Sequence, residues 1–520
     1  MRQKQNGIRR GVMVGLLAIG IFSAPVFGGE TEAESFASFE GNLLKITTAS
    51  DFDAGVCQGL ILDEEIGDGA LLLKDGRLKG SFESDVYECS RFNQINACWN
   101  AAVYEGGAVE VFARARHDGI WTEYLTWGAF TPYDTRGTRE NKTDESAIVD
   151  QDTFCMSEDL EADAIQVKVE IRRDSRKDRS PVLRMVSLTF RGGEMVPVYA
   201  EEPVSEIPDR VLIEAPAVSQ MIRSPKVSAD ICSPTTMTVM MNSRVPELNL
   251  LPEEYAVNVK DEEEDIFGSW SFSVAGAGLY GFEAYTQFGD FDIVMQELAK
   301  GHAVGMNVRY SSDPEDPDVP YMEGVFDRTT GHLICLIGYE YEDGIRDEDH
   351  LYFYSSDSFA YSDRTAYRRY KAGQLKECFR GMLYLIPDDS REVTGDYAPG
   401  VARVDAELTK DPERDDTWIL TADGNAVDME RFINGNGILA CSVQTKERVR
   451  PVRTDHSIIY EKAVFTEANQ PFCYDIILRR DGSLVLDRQI LMGKLGVEDD
   501  GQDLILYAIS DRGVCYKAVF

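Results

Sequence analysis

Asp230-Ile231-Cys232-Ser233-Pro234-Thr235-Thr236-Met237 is the stretch that decides how the rest of this 520-residue chain is read. Proline is disfavoured inside a helix but suits its first turn, where no backbone N–H is needed. Ser233-Pro234 therefore predicts a helix start, with Cys232 at its positive end. The run Thr236-Met237-Thr238-Val239-Met240-Met241 places apolar residues at helical spacing, and Asn242-Ser243-Arg244-Val245-Pro246 supplies the stop. A thiol attacks a carbonyl only as thiolate, and a helix N-terminus beside an imidazole lowers its pKa. Cys232 is thus a candidate nucleophile, held at the edge of a helix whose body is anchored in a core.

The imidazole is chosen from five histidines: His117, His302, His332, His350 and His456. His332 opens Gly331-His332-Leu333-Ile334-Cys335-Leu336-Ile337-Gly338-Tyr339, a run with the length and apolar content of a buried strand, and its first residues belong at the sheet edge. Residues 340–350 are acidic, with the hairpin signal Asp343-Gly344 near the centre. Leu351-Tyr352-Phe353-Tyr354 is the returning strand, and Asp357 falls just past its end. Antiparallel pairing sets the start of one strand beside the end of the next. His332 and Asp357 are therefore predicted neighbours, with Asp357 orienting the ring as triad logic requires. Asp363 is the competing carboxylate, and His302, which opens another strand, reads as structural.

On these residues, about 205–388 resemble the papain-fold cysteine peptidases related to bacteriocin-processing, double-glycine leader peptidases, specifically their secreted relatives without an ABC transporter. The matching residues are Cys232-Ser233-Pro234-Thr235, Gly331-His332 with the apolar strand behind it, and Ser356-Asp357. The resemblance implies that Cys232 is the nucleophile, His332 the general base and then acid, Asp357 its orienting group, and an upstream Gln an oxyanion donor. In the transporter-linked pattern that Gln lies six residues before the cysteine. Here that position is Lys226, and Gln220 stands twelve residues before Cys232. Ala215-Pro216-Ala217-Val218-Ser219-Gln220 resembles the short strand that carries the Gln in secreted members. Its amide would donate with the Cys232 N–H to the developing oxyanion.

The remaining motifs point to no metal and no cofactor. Cysteine pairs at zinc spacing and a His-Glu-x-x-His helix are absent from the sequence. Ala275-Gly276-Ala277-Gly278-Leu279-Tyr280-Gly281 lacks the strand-to-helix context and the Lys-Ser/Thr of a nucleotide loop, and reads as a flexible segment beside the cleft. Asp313-Pro314-Glu315-Asp316-Pro317-Asp318 reads as a solvated acidic loop, with calcium ligation the alternative.

Arg2, Lys4, Arg9 and Arg10 precede the apolar stretch 11–22, and Ala24-Pro25-Val26-Phe27-Gly28 closes it on a small residue. Residues 1–28 are expected to be a secretory signal peptide cleaved near Gly28, leaving a secreted or extracytoplasmic protein. No cysteine for lipid attachment stands at that junction, and no later segment has the apolar length of a membrane span. Loss of those four cations takes the formal charge from −37 to −41, a surface that repels nucleic acid and anionic lipid. Ten cysteines fit an oxidising compartment only loosely. Setting Cys232 aside leaves nine, so at least one more is free or paired between chains. Cys335 is the expected buried thiol, Cys89 and Cys98 are spaced for a hairpin disulfide, and Cys441, Cys473 and Cys515 share the C-terminal region.

The length implies several cores. Residues 32–197 contain period-two runs such as Ala108-Val109-Glu110-Val111-Phe112-Ala113-Arg114-Ala115-Arg116 and Ile165-Gln166-Val167-Lys168-Val169-Glu170-Ile171, which predict a β-sandwich. Ala97-Cys98-Trp99-Asn100-Ala101 and Arg179-Ser180-Pro181-Val182-Leu183-Arg184 also resemble the sandwich that precedes the peptidase domain in some secreted relatives. The linker Glu201-Glu202-Pro203-Val204-Ser205-Glu206-Ile207-Pro208 leads into the predicted peptidase domain, residues 205–388, and an acidic stretch over 387–400 ends it. Residues 403–520 carry runs such as Cys473-Tyr474-Asp475-Ile476-Ile477-Leu478-Arg479-Arg480 before Asp481-Gly482, and predict a small all-β domain.

The expected fold is therefore multidomain: an α+β papain-like cysteine peptidase domain flanked by an N-terminal β-sandwich and a C-terminal small all-β domain. The expected activity is hydrolysis of a peptide or protein substrate through a thioester acyl-enzyme. Acyl transfer or amidase chemistry on the same fold, and non-catalytic surface binding by a degenerate peptidase domain, are the alternatives. Trp99, Trp121 and Trp127, if exposed, would give the sandwich a glycan or cell-wall contact.

Overall fold

The two alternating runs of the N-terminal region find each other. Gly107–His117 lies antiparallel to Ala162–Arg173, with Val111 opposite Val169 and Ala113 opposite Val167, so that one face of each strand is consistently apolar. This computed structural model describes residues 36–193, 195–224, 226–387, 402–454, 457–469, 476–495, 501 and 503–520. The signal-like segment 1–28, Cys473 and nearly all of the acidic stretch 387–400 lie outside them. The pair belongs to an eight-stranded sheet. A seven-stranded sheet built on Gln94–Ala102 and Val182–Arg191 shares its core, where Trp99 meets Phe130 edge-on at 6.3 Å.

Trp99 and Trp127 are buried in this core, not exposed as a glycan platform requires. Trp121 is half-buried beneath the Arg114 guanidinium, which lies 4.8 Å from its ring centre. The spacing of Cys89 and Cys98 does not produce a disulfide, because Val86–Phe92 and Gln94–Ala102 run into different sheets. All nine described cysteines are free thiols.

The central region is a seven-stranded antiparallel sheet in the order Tyr285–Phe288, Phe379–Leu385, Val304–Tyr310, Thr329–Tyr341, Leu351–Ser356, Tyr367–Lys371, with Arg210–Leu212 also paired to Thr329–Tyr341. Tyr341 stands opposite Leu351 and Cys335 opposite Ser356. Asp343 and Gly344, at φ 55° and 72°, turn the chain between these two strands. The helix Cys232–Arg244 packs on this sheet and is buried all round rather than along one stripe. Two of its buried hydroxyls are satisfied internally: Thr236 donates to the Leu333 carbonyl at 3.1 Å, and Ser233 pairs with Tyr384 at 2.8 Å.

The glycine-rich segment is ordered helix, Trp270–Leu279, where flexibility was expected. Its glycines serve approach: a Cβ on Gly278 would lie 2.7 Å from the Asn100 backbone, and one on Gly276 would lie 2.4 Å from Val259. The helix thus lies flush against a strand of the N-terminal region.

The C-terminal region is a nine-stranded sheet with two helices, Glu430–Ile433 and Arg488–Leu495, so it is mostly rather than wholly β. Of the described part of the run 473–480, residues 476–480, only Ile477–Leu478 is strand, paired with Leu484–Val485 across Asp481-Gly482. The chain is multidomain, mixed α/β and mostly sheet, and residues 36–520 pack as one unit.

Gly278→Ala is expected to cost about 1–3 kcal/mol of stability through overpacking. Gly268→Ala, whose methyl would meet nothing within 4 Å, is expected to stay within about 0.5 kcal/mol. Urea unfolding of the two variants checks the contrast.

Candidate functional site

Cys232 is the first residue of its helix, as Ser233-Pro234 predicts, and is half-buried. The His332 ring and the backbone N–H groups of Ser233 and Leu333 are the groups that favour its ionised form. The neighbouring strand therefore delivers both the imidazole and a backbone donor. His332 Nε2 lies 2.8 Å from Asp357 Oδ1, which leaves Nδ1 for the sulfur. Asp357 follows directly on Leu351–Ser356, at the place the hairpin pattern gives it.

Asp357 is fully buried, at 0% exposure, and its carboxylate is held by four donors. Besides the ring, Oδ1 accepts the Phe359 N–H at 3.0 Å, and Oδ2 accepts the hydroxyls of Tyr310 at 3.1 Å and Tyr370 at 2.6 Å. Burial opposes the charge, but the His332 charge and hydrogen bond, the Tyr370 hydroxyl and the Phe359 N–H together hold the carboxyl below its ordinary pKa. Burial likewise pushes His332 down, and the charge and hydrogen bond of Asp357, with Cys232 beyond it, carry it up to about 10. At Cys232 burial again opposes ionisation, and the His332 hydrogen bond and charge with the two N–H donors bring the thiol below its ordinary value. The electrostatics favour a thiolate–imidazolium pair. Burial and the Asp357 charge push Tyr310 and Tyr370 well up, so both stay protonated donors.

Gln220 lies in an irregular segment rather than a strand, the strand in that stretch being Arg210–Leu212 further upstream. Its backbone N–H bonds the Ser358 carbonyl at 2.9 Å, its Oε1 accepts the Ser358 hydroxyl at 2.7 Å, and its Nε2 donates to Ser228 O at 2.9 Å. The twelve-residue separation is closed by a loop that folds back on the glutamine four residues short of Cys232. One amide proton is engaged there and the second remains for an oxyanion.

The rival carboxylate Asp363 has other work: it accepts the Ser219 N–H at 2.8 Å and lies 3.8 Å from Arg223. His302 Nδ1 is 2.8 Å from Glu297. Ligand atoms of His302, Glu297 and Glu201 lie within 4.8 Å of one another, but the Lys300 ammonium already bonds both carboxylates, at 3.1 Å and 3.3 Å, and supplies the positive charge itself. In the acidic loop, Arg328 bonds Asp316 at 2.7 Å and Asp318 at 3.1 Å. Tyr310, Tyr370 and Ser358 carry no sequence signal of their role, because strand periodicity assigns the two tyrosines to a core and the partners of all three lie in loops distant in sequence or across the sheet.

Residues 212–385 match the family model described as the Peptidase_C39 like family, and residues 43–190 match the Peptidase C39 N-terminal domain. The two matches, over separate stretches, support a C39-like peptidase family for this chain. The first runs from the edge strand Arg210–Leu212 to the end of Phe379–Leu385 and includes all four candidate residues. No curated protein matches the chain. Among solved structures, one titled "Structure of PfGH50B" is similar at 10% identity over 38% of this chain and 29% of that one, with a TM-score of 0.15, too low to define a shared fold.

The raised His332 value keeps the ring positive up to about pH 10, and the lowered Cys232 value makes the sulfur anionic below the range of ordinary thiols. Alkylation of Cys232 by iodoacetamide, mapped by mass spectrometry, is therefore expected to have its pH midpoint below that of an ordinary thiol of pKa about 8.5. His332→Ala is expected to move the midpoint upward. Tyr370→Phe is expected to move it the same way by less, since Asp357 loses one charge-assisted bond. An unshifted profile in both variants would separate Cys232 from these partners.

Proposed function

We propose that this chain is an exported cysteine peptidase. The observation that carries the proposal is the His332 ring, hydrogen-bonded at 2.8 Å to the buried Asp357 carboxylate and coupled electrostatically to the Cys232 thiol. The C39-like match over the residues that contain it supports the same reading. The Cys232 thiolate attacks a peptide carbonyl, and the oxyanion takes hydrogen bonds from the Cys232 N–H and the second amide proton of Gln220. The His332 imidazolium gives its proton to the leaving amine as the C–N bond breaks, which leaves a thioester on Cys232. His332, now neutral, removes a proton from water. The hydroxide adds to the thioester, the C–S bond breaks, and acid and thiolate are regenerated.

In this proposal residues 205–388 are a papain-like domain, 32–197 a preceding sandwich and 403–520 a small β domain, and residues 1–28 are removed on export. The substrate is a peptide or protein.

Cys232→Ala is expected to abolish cleavage of a peptide library by the mature protein. His332→Ala is expected to reduce it by roughly 10²–10⁴-fold, the usual range for a positioned acid–base group. Intact-mass spectrometry of the wild type is expected to trap a thioester adduct. Cleavage that survives Cys232→Ala sinks the proposal.

A further inference from the structure

We infer that the aromatic face beside His332 is the subsite for the leaving-group side of the substrate and selects a bulky apolar or aromatic residue there; this deepens the cysteine peptidase reading and rests on it. Three rings run outward from the imidazole. Phe359, two residues past Asp357, has its ring centre 5.8 Å from that of His332. Phe326 lies 4.7 Å from Phe359 and 4.1 Å from Tyr361. Tyr361 is 71% exposed, while Phe326 and Phe359 are half-buried, so the row begins against the catalytic ring and ends in solvent.

The backbones that carry these rings are tied down. Phe359 N–H bonds Asp357, and the Ala360 carbonyl accepts the Ser219 hydroxyl at 2.6 Å. Phe326 comes from the loop between Val304–Tyr310 and Thr329–Tyr341, which is braced by Arg328 on Asp316 and Asp318 and by Met322 N–H on Ser311 O at 3.0 Å. The row thus places apolar area in water beside the His332 ring, where a substrate side chain can cover it.

The chemistry says which half of the substrate meets it. The acyl half stays bonded to the Cys232 sulfur, whereas the amine half receives its proton from His332 and must lie against that ring. Rings continuous with His332 therefore line the path of the departing amine, and they favour an apolar residue over glycine or a charged side chain.

Partition of the acyl-enzyme tests the inference directly. N-benzyloxycarbonyl-glycine 4-nitrophenyl ester acylates Cys232: the thiolate adds to the ester carbonyl, the C–O bond breaks, and nitrophenol leaves with the His332 proton and ionises to nitrophenolate in solution. An added amine then attacks the thioester, gives a proton to His332 and releases the thiolate. Phenylalaninamide, leucinamide, glycinamide and argininamide compete with water, and the amide products are quantified by mass spectrometry. The capture ratio is an internal measure, independent of the acylation rate.

Phenylalaninamide is expected to be captured at least about ten-fold better than glycinamide, the low end of apolar discrimination in a pocket. Tyr361→Ala and Phe326→Ala are expected to bring the ratio toward one, and Tyr361→Phe to retain it. Equal capture of all four amines, or a preference unchanged by both alanine variants, overturns the subsite and leaves the peptidase reading standing. Absence of nitrophenolate release that depends on Cys232 overturns both.

Discussion

A carboxylate with no exposure to water is the constraint on which the site depends. Placing an ion such as Asp357 in the interior costs several kcal/mol unless donors replace its hydration. The donors come from four places: the ring of His332, the hydroxyls of Tyr310 and Tyr370, and the N–H of Phe359. Three of these stand on three different strands and the fourth on the loop after a further one, so the charge is tolerated only when the strands pair in this order and register. The same arrangement keeps His332 cationic, and a cationic His332 favours the Cys232 thiolate. Sheet pairing and the ionisation of Cys232 are one specification.

Local grammar made much of this legible. Proline in the first turn marked the helix, a β-branched run marked the strand of His332, and Asp343-Gly344 marked the reversal that brings Asp357 beside the ring. Each signal needs only a few adjacent residues. What escaped depends on distant ones. Gly276 and Gly278 read as freedom, yet their reason is the closeness of Val259 and Asn100. Gln220 read as a strand residue, but its segment is fixed by the carbonyls and hydroxyl of Ser228 and Ser358 rather than by a ladder. Trp99 and Trp127 fill a core that only the pairing of two sheets creates, and the same divergence of sheets separates Cys89 from Cys98.

The flanking regions grip the elements behind Cys232 rather than hanging from linkers. From the N-terminal side, Arg136, itself buried, donates to the carbonyls of Val257 and Lys260 at 2.8 Å each. Burial brings its pKa down to about 10, partly countered by the Glu262 charge. From the C-terminal side, Arg403 makes a two-pronged pair with Glu254 at 2.7 Å and 2.8 Å. Lys226, at the position where the transporter-linked pattern has glutamine, donates instead to the carbonyls of Phe432 and Gly437 at 3.1 Å and 2.7 Å. The loop that leads to Cys232 is thus anchored partly by the C-terminal region.

The flush packing of Trp270–Leu279 bears on motion. A helix whose glycines let a neighbouring backbone approach to contact distance has no slack along that seam, since sliding by even one residue would drive larger side chains into Asn100 and Ala101. Hinge opening between the N-terminal and central regions is therefore blocked at the back of the cleft. The front, by contrast, is crossed by the loop that carries Phe326 and the turn that carries Tyr361, which are held by hydrogen bonds rather than by such a seam.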